Sequence, residues 1–214
     1  MHKLFLMVLC IATIACSISK KQSARLLDFQ NDLASRIQSS DGASPMRVFK
    51  INNFEDSILL RTPSKPVVFG QDTATLDLFV NRLYATVRDS MSLGVGIAAP
   101  QVGVLKRIIW VQRFDKEGFP FEVYFNPVIT KYSELKQDCL EGCLSIPDRR
   151  DTTKTRAYSI LMEYDKRDQS HHVEMVEGFT AVIFQHEIDH LNGIIYLDHL
   201  KQESIDARRI KTFR

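Results

Sequence analysis

The chain has 214 residues, of which 44% are hydrophobic and 25% charged, so it is long enough for one globular domain with a substantial core. Its 28 basic and 26 acidic side chains give a formal net charge of +2. This balance does not indicate a nucleic-acid partner, which would favour a clustered basic surface. Four cysteines are too few for a small scaffold held together by disulfides.

The N-terminus carries a targeting pattern. Lys3 precedes an apolar run from Leu4 to Ala15, which is too short to span a hydrocarbon core of ~30 Å at 1.5 Å per residue. A basic start, a short apolar middle and small residues at its end are typical of a secretory signal. Thr13-Ile-Ala-Cys16 also resembles a bacterial lipobox, in which the Cys carries lipid.

We therefore expect residues 1–19 to be a signal peptide with Cys16 as the lipidation site. The mature protein would then be a lipoprotein anchored on the extracytoplasmic face of a bacterial membrane. An uncleaved anchor and a misplaced start codon are the alternatives, and the latter would leave a cytoplasmic protein. Residues 20–45 are polar and predict a tether or an extra N-terminal helix. The main domain would cover residues 46–214.

The domain begins with a helix and continues with strands. The i, i+3, i+4, i+7 apolar spacing after Thr75 predicts a helix to about Ser90. Runs of β-branched and aromatic residues predict strands at 106–112, 121–125, 128–132, 158–164 and 171–176. Residues 165–170 would form a hairpin connection. A second helix is predicted from Phe179 to Leu191, then a short strand from Ile194 to Leu197 and a solvated basic tail. This order indicates an α+β domain with antiparallel sheet.

The second predicted helix carries the pattern His186-Glu187-x-x-His190. Residues four apart project from the same face of a helix, so both imidazoles could bind one metal ion. Glu187 would stand beside that ion, where it could move protons. Two solvated histidines are the alternative, but the apolar helix around them makes uncompensated burial costly.

A catalytic site of this kind needs a third protein ligand and an open position. His171, His172, His199 and several acids are candidates. Cys143, within Glu141-Gly-Cys-Leu-Ser145, is another, because a thiol beside a divalent cation ionises. Cys143 could instead be a small buried apolar residue or the disulfide partner of Cys139.

The segment Gly94-Val-Gly-Ile-Ala-Ala-Pro-Gln101 is rich in small residues. It lacks the further glycine and the Lys-Ser/Thr pair of phosphate-binding loops. An open backbone edge that pairs with an extended peptide is the alternative use. Gln101 could donate to an oxyanion there, or it could be an ordinary turn residue.

Taken together, the segments 94–101, 141–145 and 185–190 resemble the three motifs of the peptide deformylases, in the same order and with similar separations. The similarity extends from about Asp56 to Leu200. The resemblance implies antiparallel sheets packed around a central C-terminal helix that carries the two histidines. It implies metal-dependent hydrolysis of the formyl group of N-formyl-methionyl peptides, with release of formate.

The resemblance also implies roles for single residues. Cys143, His186 and His190 would hold one divalent metal, most often Fe²⁺ in this family, with Zn²⁺ or Ni²⁺ also accepted. Glu187 would be the general acid and base, and Gln101 with the Leu144 amide would stabilise the oxyanion. The substrate-binding residues would be Gly96 through its backbone, and Val95, Phe179, Val182 and Ile183 around a methionine-like side chain.

The sequence is also compatible with two other functions. A metallopeptidase could use the same helix with a third ligand downstream, and a non-catalytic protein could bind formyl-peptides or metal. An exported position departs from the usual work of deformylases on new chains, and it puts the physiological substrate and the metal in question.

Overall fold

The computed structural model describes residues 33–70, 72–89 and 94–212. It divides the chain into two units, residues 1–41 and 42–214. In the first unit, residues 33–38 are helical. The predicted signal peptide, the lipidation site Cys16 and the first part of the 20–45 segment lie outside the described residues. Where the chain is described, no helix has both the length and the apolar character of a membrane span.

The second unit contains helices and antiparallel strands. Its described helices are α1 (Phe54–Leu60), α2 (Thr73–Arg88), α3 (Gly178–Leu191) and α4 (Tyr196–Thr212). Its described strands are β1 (Gly96–Ala98), β2 (Ile108–Gln112), β3 (Phe121–Tyr132), β4 (Lys136–Cys143), β5 (Ile146–Ala157), β6 (Ser159–Asp165) and β7 (His171–Glu177). A 3-10 turn, Ala99–Val102, follows β1 directly.

The strands form two sheets. One has five strands in the order β1-β2-β3-β6-β7, and the other is the hairpin of β4 and β5. Every neighbouring pair is antiparallel. The two predicted strands at 121–125 and 128–132 are one strand, β3, whose register shifts between Phe125 and Val128. Pro127 lies at this shift, where a residue without an N–H is tolerated.

Helix α3 lies at the centre of the core. Eleven of its fourteen residues are buried, in keeping with a helix that is apolar on most sides. Its side chains pack with those of the five-stranded sheet in one cluster, which includes Ala98, Ile109, Tyr124, Ile160, Met162, Val176, Ile183, Phe184, Ile188 and Leu191. The predicted α+β fold with antiparallel sheets around this helix is confirmed.

The sequence prediction failed at two places. The expected strand from Ile194 to Leu197 is wrong, because Gly193 leaves α3 at a φ of 74° and a turn leads into α4 at Tyr196. A short apolar run does not distinguish a strand from a buried helix start. Strands β4 and β5 were not predicted, because most of their side chains are polar and exposed.

Candidate metal centre and active-site cleft

Cys143, His186 and His190 meet at one point. Their ligand atoms all lie within 4.8 Å of one another, and Cys143 Sγ is 3.2 Å from His190 Nε2. The two histidines occupy successive turns of α3, and Cys143 is the last residue of β4. Cys143, the third ligand that the family resemblance implies, is therefore the residue that the fold brings to the histidine pair.

The Cys143 thiol loses its proton readily beside the two imidazoles. Burial by itself would raise the pKa of the Cys143 thiol, but the neighbouring imidazoles outweigh it and hold that pKa well below its usual value. The thiol and the carboxylate of Glu141 in turn raise the pKa of His186 against the opposing effect of burial. A thiolate is the form of cysteine that coordinates metal.

A buried carboxylate orients one of the histidines. His186 Nδ1 lies 2.7 Å from Glu141 Oε2, which leaves Nε2 as the nitrogen for a metal. Arg156 donates to both oxygens of Glu141, at 2.8 and 2.9 Å, and Thr153 donates to one of them. Burial alone would raise the pKa of Glu141, but His186 and Arg156 lower it strongly. Glu141 is therefore a fixed anion behind the ligand.

The donor set fits one divalent metal. One sulfur and two imidazole nitrogens are ligands that Fe²⁺, Zn²⁺ and Ni²⁺ all accept. Two buried polar atoms of this pocket, Glu187 Oε2 and His190 Nδ1, have no hydrogen-bond partner among the described residues. Buried polar atoms are normally paired, so Glu187 Oε2 indicates a place for a bound group next to the ligands.

Glu187 is 4% exposed and lies one residue after the first histidine. Burial raises its pKa to about 7 against the opposing attraction of the two imidazoles. Its carboxylate lies against the backbone of Gly96 in β1, where a side chain would collide with it. The carboxylate is therefore confined between α3 and the edge of the sheet, beside the donor group.

The side chain of Gln101 is fixed by the backbone of Ala98, three residues earlier. Its Oε1 accepts from the Ala98 N–H at 2.8 Å. Its Nε2 is then directed to Cys143 Sγ at 3.5 Å and to Ser145 Oγ at 3.4 Å. With 1% exposure, Gln101 is a buried amide next to a ligand and not a surface turn residue.

Leu144 lies in the two-residue turn that joins β4 to β5, where Cys143 pairs with Ile146. The next pair is Gly142 with Arg150, so residues 147–149 form a bulge in β5. Asp148 in this bulge has a φ of 56°. Bulges often occur beside active sites, where they redirect the chain, and here the bulged residues form one wall of a cleft.

The cleft has a volume of about 730 Å³ and reaches the donor group. All five predicted substrate-binding residues line it, together with Leu144: Val95, Gly96, Phe179, Val182 and Ile183. Strand β1 is an edge of the five-stranded sheet, so its second side carries no strand among the described residues. An extended peptide could pair with such an edge.

Other candidate ligands lie elsewhere. His171 and His172 are on β7, and His199 on α4 hydrogen-bonds to Asp189 at 2.8 Å. Cys139 and Cys143 are free thiols on strand β4. Four residues of strand span about 13 Å, far beyond the 4.4–6.8 Å between disulfide-bonded Cα atoms. The alternative pairing of these two cysteines is therefore wrong for this fold.

Sequence reasoning missed three residues of the site. Glu141 lies within the 141–145 motif, and an acid two residues before a ligand is a possible hydrogen-bond partner for a histidine ligand. Arg156 lies on a strand that was not predicted. Lys50 lines the cleft from a distant part of the chain, and no local pattern pointed to it.

A sulfur and two imidazoles beside a buried carboxylate, in a cleft edged by an open strand, define a metal-dependent hydrolase. The polypeptide deformylase family model matches residues 48–205. The chain belongs to the peptide deformylase family and is an enzyme with peptide deformylase activity.

The relatives support this assignment over most of their length. The chain is 34% identical to the peptide deformylase of Leptospira biflexa, over 75% of this chain and 92% of that protein. It is 38% identical to that of Desulforudis audaxviator, over 72% and 94%. The structure of a class I type b peptide deformylase from Acinetobacter baumannii with bound Met-Ala-Ser matches with a TM-score of 0.64 and 32% identity, over 73% of this chain and 99% of that one.

Proposed function

We propose that the enzyme removes the formyl group from N-formyl-methionyl peptides, with Cys143, His186 and His190 as the metal ligands and Glu187 as the acid and base. The observation that carries this proposal is the group of three donor atoms within 4.8 Å, next to a buried carboxylate oxygen that has no hydrogen-bond partner in the described part of the chain. A divalent metal in such a site acidifies water to a pKa near 7 and polarises a carbonyl.

The chain's own groups then divide the remaining work. Glu187 takes the proton of the attacking water and delivers it to the departing amine. The Gln101 amide and the Leu144 N–H donate to the oxygen of the former formyl carbonyl as it gains charge. The products are formate and a peptide with a free amino terminus.

The substrate would bind along β1. Its backbone would pair with Gly96 at the open edge, and its methionine side chain would contact Val95, Phe179, Val182 and Ile183. Val182 and Ile183 are 3% and 4% exposed, while Phe179 is 47% exposed. Val182 and Ile183 would therefore form an apolar floor of this pocket, and the half-exposed ring of Phe179 would lie at its mouth.

Formate release from a formyl-Met peptide tests the proposal. We expect Glu187→Ala to retain one metal per chain and to lose about 10²–10⁴-fold in turnover. Glu163→Ala, which removes an exposed acid on β6, is the control and should leave both unchanged. Near-wild-type turnover in Glu187→Ala would refute the assignment of the base. Cleavage of internal peptide bonds would instead favour the metallopeptidase, and binding without formate would favour the non-catalytic protein.

We propose Fe²⁺ as the resident metal. The thiolate and imidazole donors suit it, and both iron(II) and a thiolate ligand are open to oxidation. Metal analysis after anaerobic purification should find iron, and aerobic storage should inactivate the iron form faster than a zinc-loaded form. Zinc or nickel as the dominant metal in the anaerobic protein would refute this choice.

We also propose that the protein is a lipoprotein anchored through Cys16 on the extracytoplasmic face of the membrane. The support is the N-terminal sequence alone. In cells fed a labelled fatty acid, the wild-type protein should take up label and Cys16→Ser should not, whereas Cys10→Ser is the matched control and should still be labelled. An unlabelled wild-type protein in the cytoplasmic fraction would refute the lipid anchor, but it would not contradict the proposed deformylase reaction.

A further inference from the structure

Residues 49–51, here called the clasp segment, connect the two places from which the oxyanion donors come. The Phe49 N–H donates to the carbonyl of Gln101 at 2.7 Å. The Ile51 N–H donates to the carbonyl of Ser145 at 3.0 Å. Between them, the Lys50 ammonium donates to the carbonyl of Leu144. One short segment thus binds both the 3-10 turn and the β4–β5 turn.

The clasp segment is itself held from behind. The Lys50 N–H donates to Asp56 Oδ2 at 2.9 Å. Asp56 is 3% exposed, and Arg47 donates to both of its oxygens at 2.8 Å. A buried carboxylate with a paired guanidinium is a rigid anchor, because charge-assisted bonds of this kind are stronger than neutral ones. The backbone from which the Lys50 side chain extends is therefore fixed.

The β4–β5 turn has little backbone of its own to hold it in shape. It consists of Leu144 and Ser145, and neither has a positive φ, unlike the turns that best match the twist of a two-residue hairpin. Both of its carbonyls accept hydrogen bonds from the clasp segment. Because these bonds fix both peptide planes that follow Leu144, they restrict the orientation of the turn that carries the Leu144 N–H.

We propose that Lys50 is a positioning residue for the oxyanion hole: its ammonium group holds the Leu144–Ser145 turn at the correct distance from Gln101. This inference rests on the proposed roles of Gln101 and Leu144. Lys50 also lines the cleft, so direct contact with a substrate carboxylate is the competing role. The two roles differ in the kinetic constant that they affect, since a positioning residue acts on kcat and a substrate ligand acts on KM.

The central experiment compares Lys50→Met with Lys50→Arg in the metal-loaded, full-length protein. Methionine keeps the length of the side chain and removes the donor, whereas arginine keeps a cationic donor. We expect Lys50→Met to lower kcat about tenfold with KM within a factor of two, a part of the 10²–10³-fold loss that follows removal of an oxyanion donor. Lys50→Arg should recover most of the activity.

Lys106→Met is the matched control, because Lys106 also donates to a backbone carbonyl, that of Pro66 at 3.4 Å, but does not line the cleft. It should leave kcat unchanged. Hydrogen exchange gives a readout that does not depend on turnover. In Lys50→Met, the amides of residues 143–146 should exchange faster, while those of the 165–170 hairpin should not change.

Three outcomes would overturn the inference. They are an unchanged kcat in Lys50→Met, a rise in KM alone, or unchanged exchange at the amides of residues 143–146. If Lys50→Met does not fold, Lys50→Leu, which also removes the donor, is judged by the same measurements. Gln101→Leu separates this inference from the proposed function: if Gln101→Leu loses activity and Lys50→Met does not, only the role of Lys50 fails. If Gln101→Leu keeps full activity, the oxyanion assignment itself fails.

Discussion

The carboxylate of Glu187 and the backbone of Gly96 are in direct contact. A Cβ on Gly96 would lie 2.5 Å from Glu187 Oε1 and 2.9 Å from Ile183 Cγ2. Both distances are shorter than any normal contact of a Cβ, so a side chain at position 96 would have to displace Glu187 or Ile183. Strand β1, the proposed substrate-binding edge, is therefore packed closely against Glu187, the proposed general base.

Gly96→Ala should displace the base without unfolding the protein. The added methyl group must push Glu187 or Ile183 away, and a shift of about 1 Å in a reacting group can cost about 10²-fold in rate. We expect kcat/KM to fall by at least tenfold, with an unchanged far-UV circular dichroism spectrum. Gly42→Ala is the control, because its Cβ would lie 3.2 Å from Asn81 Cβ, a milder contact than at Gly96 and away from Glu187. Equal activities of the two variants would contradict the contact.

Glu141→Gln should weaken metal binding. The amide keeps the size of the side chain and can still accept from His186 Nδ1, but it loses the charge that makes this imidazole a strong ligand. Loss of such a partner typically lowers metal affinity 10–100-fold. Competition with a chelator would measure the change. Asp165→Asn, at the end of β6, is the control: it removes an acid that pairs with His171 outside the donor group, and it should leave the metal affinity unchanged.

Gly193→Ala and Gly118→Ala form a matched pair for stability. Both glycines have a φ of 74°, so alanine is strained at either position. A Cβ at Gly118 meets nothing within 4 Å, whereas at Gly193 it would lie 2.5 Å from the carbonyl oxygen of Arg61. Urea unfolding should show a loss of about 1–2 kcal/mol for Gly118→Ala and a larger loss for Gly193→Ala. Equal losses would mean that the backbone at Arg61 moves freely.

Stability should fall in acid through the cluster around Arg113, which is 1% exposed. Arg113 donates to Asp115 and to Glu174, both at 2.6 Å from its Nη2. Burial alone would raise the pKa of Glu174, but Arg113 lowers it below the ordinary 4.5. The hydrogen bond with Arg113 lowers the pKa of Asp115 as well.

Because the folded protein binds these protons less readily than the unfolded chain, the stabilisation is complete above about pH 4.5 and is lost as the pH falls through the folded pKa. Glu174→Gln should therefore destabilise the protein near neutral pH and make its unfolding free energy less sensitive to acid. Glu163→Gln, at an exposed acid of β6, is the control. If Glu174→Gln and the wild type lost stability in parallel from about pH 6 to about pH 3.5, the cluster would not be the cause.

Short-range patterns predicted the parts of the fold that repeat a regular spacing. The apolar stripe after Thr75 placed α2 within two residues at each end, although its N-cap is Asp72, whose side chain accepts from the Thr75 N–H at 3.2 Å. Helix α3 begins one residue before the predicted Phe179. The histidine pair was visible for the same reason, because i and i+4 positions share a helix face.

Long-range contacts were not predictable in this way. The β4–β5 hairpin is polar and half exposed, so it has no alternation that a single sequence would reveal. Arg156 reaches Glu141 only because these two strands pair, and Lys50 reaches Leu144 across 94 positions of sequence. The motif resemblance supplied Cys143 as a ligand, whereas its own sequence neighbourhood allowed several roles.

The burial of α3 on nearly every side has a consequence for how the enzyme acquires its ion. Packing holds both imidazoles, and the sheet pairing of β4 holds the thiol. We therefore expect the polypeptide to preassemble the coordination sphere and to fold without the ion, in contrast to zinc fingers. A chelator should then empty the site and leave a folded apoprotein that accepts whichever divalent cation is offered next. The concentrations of divalent metals around the protein, more than the shape of its site, would then decide which metal this enzyme carries.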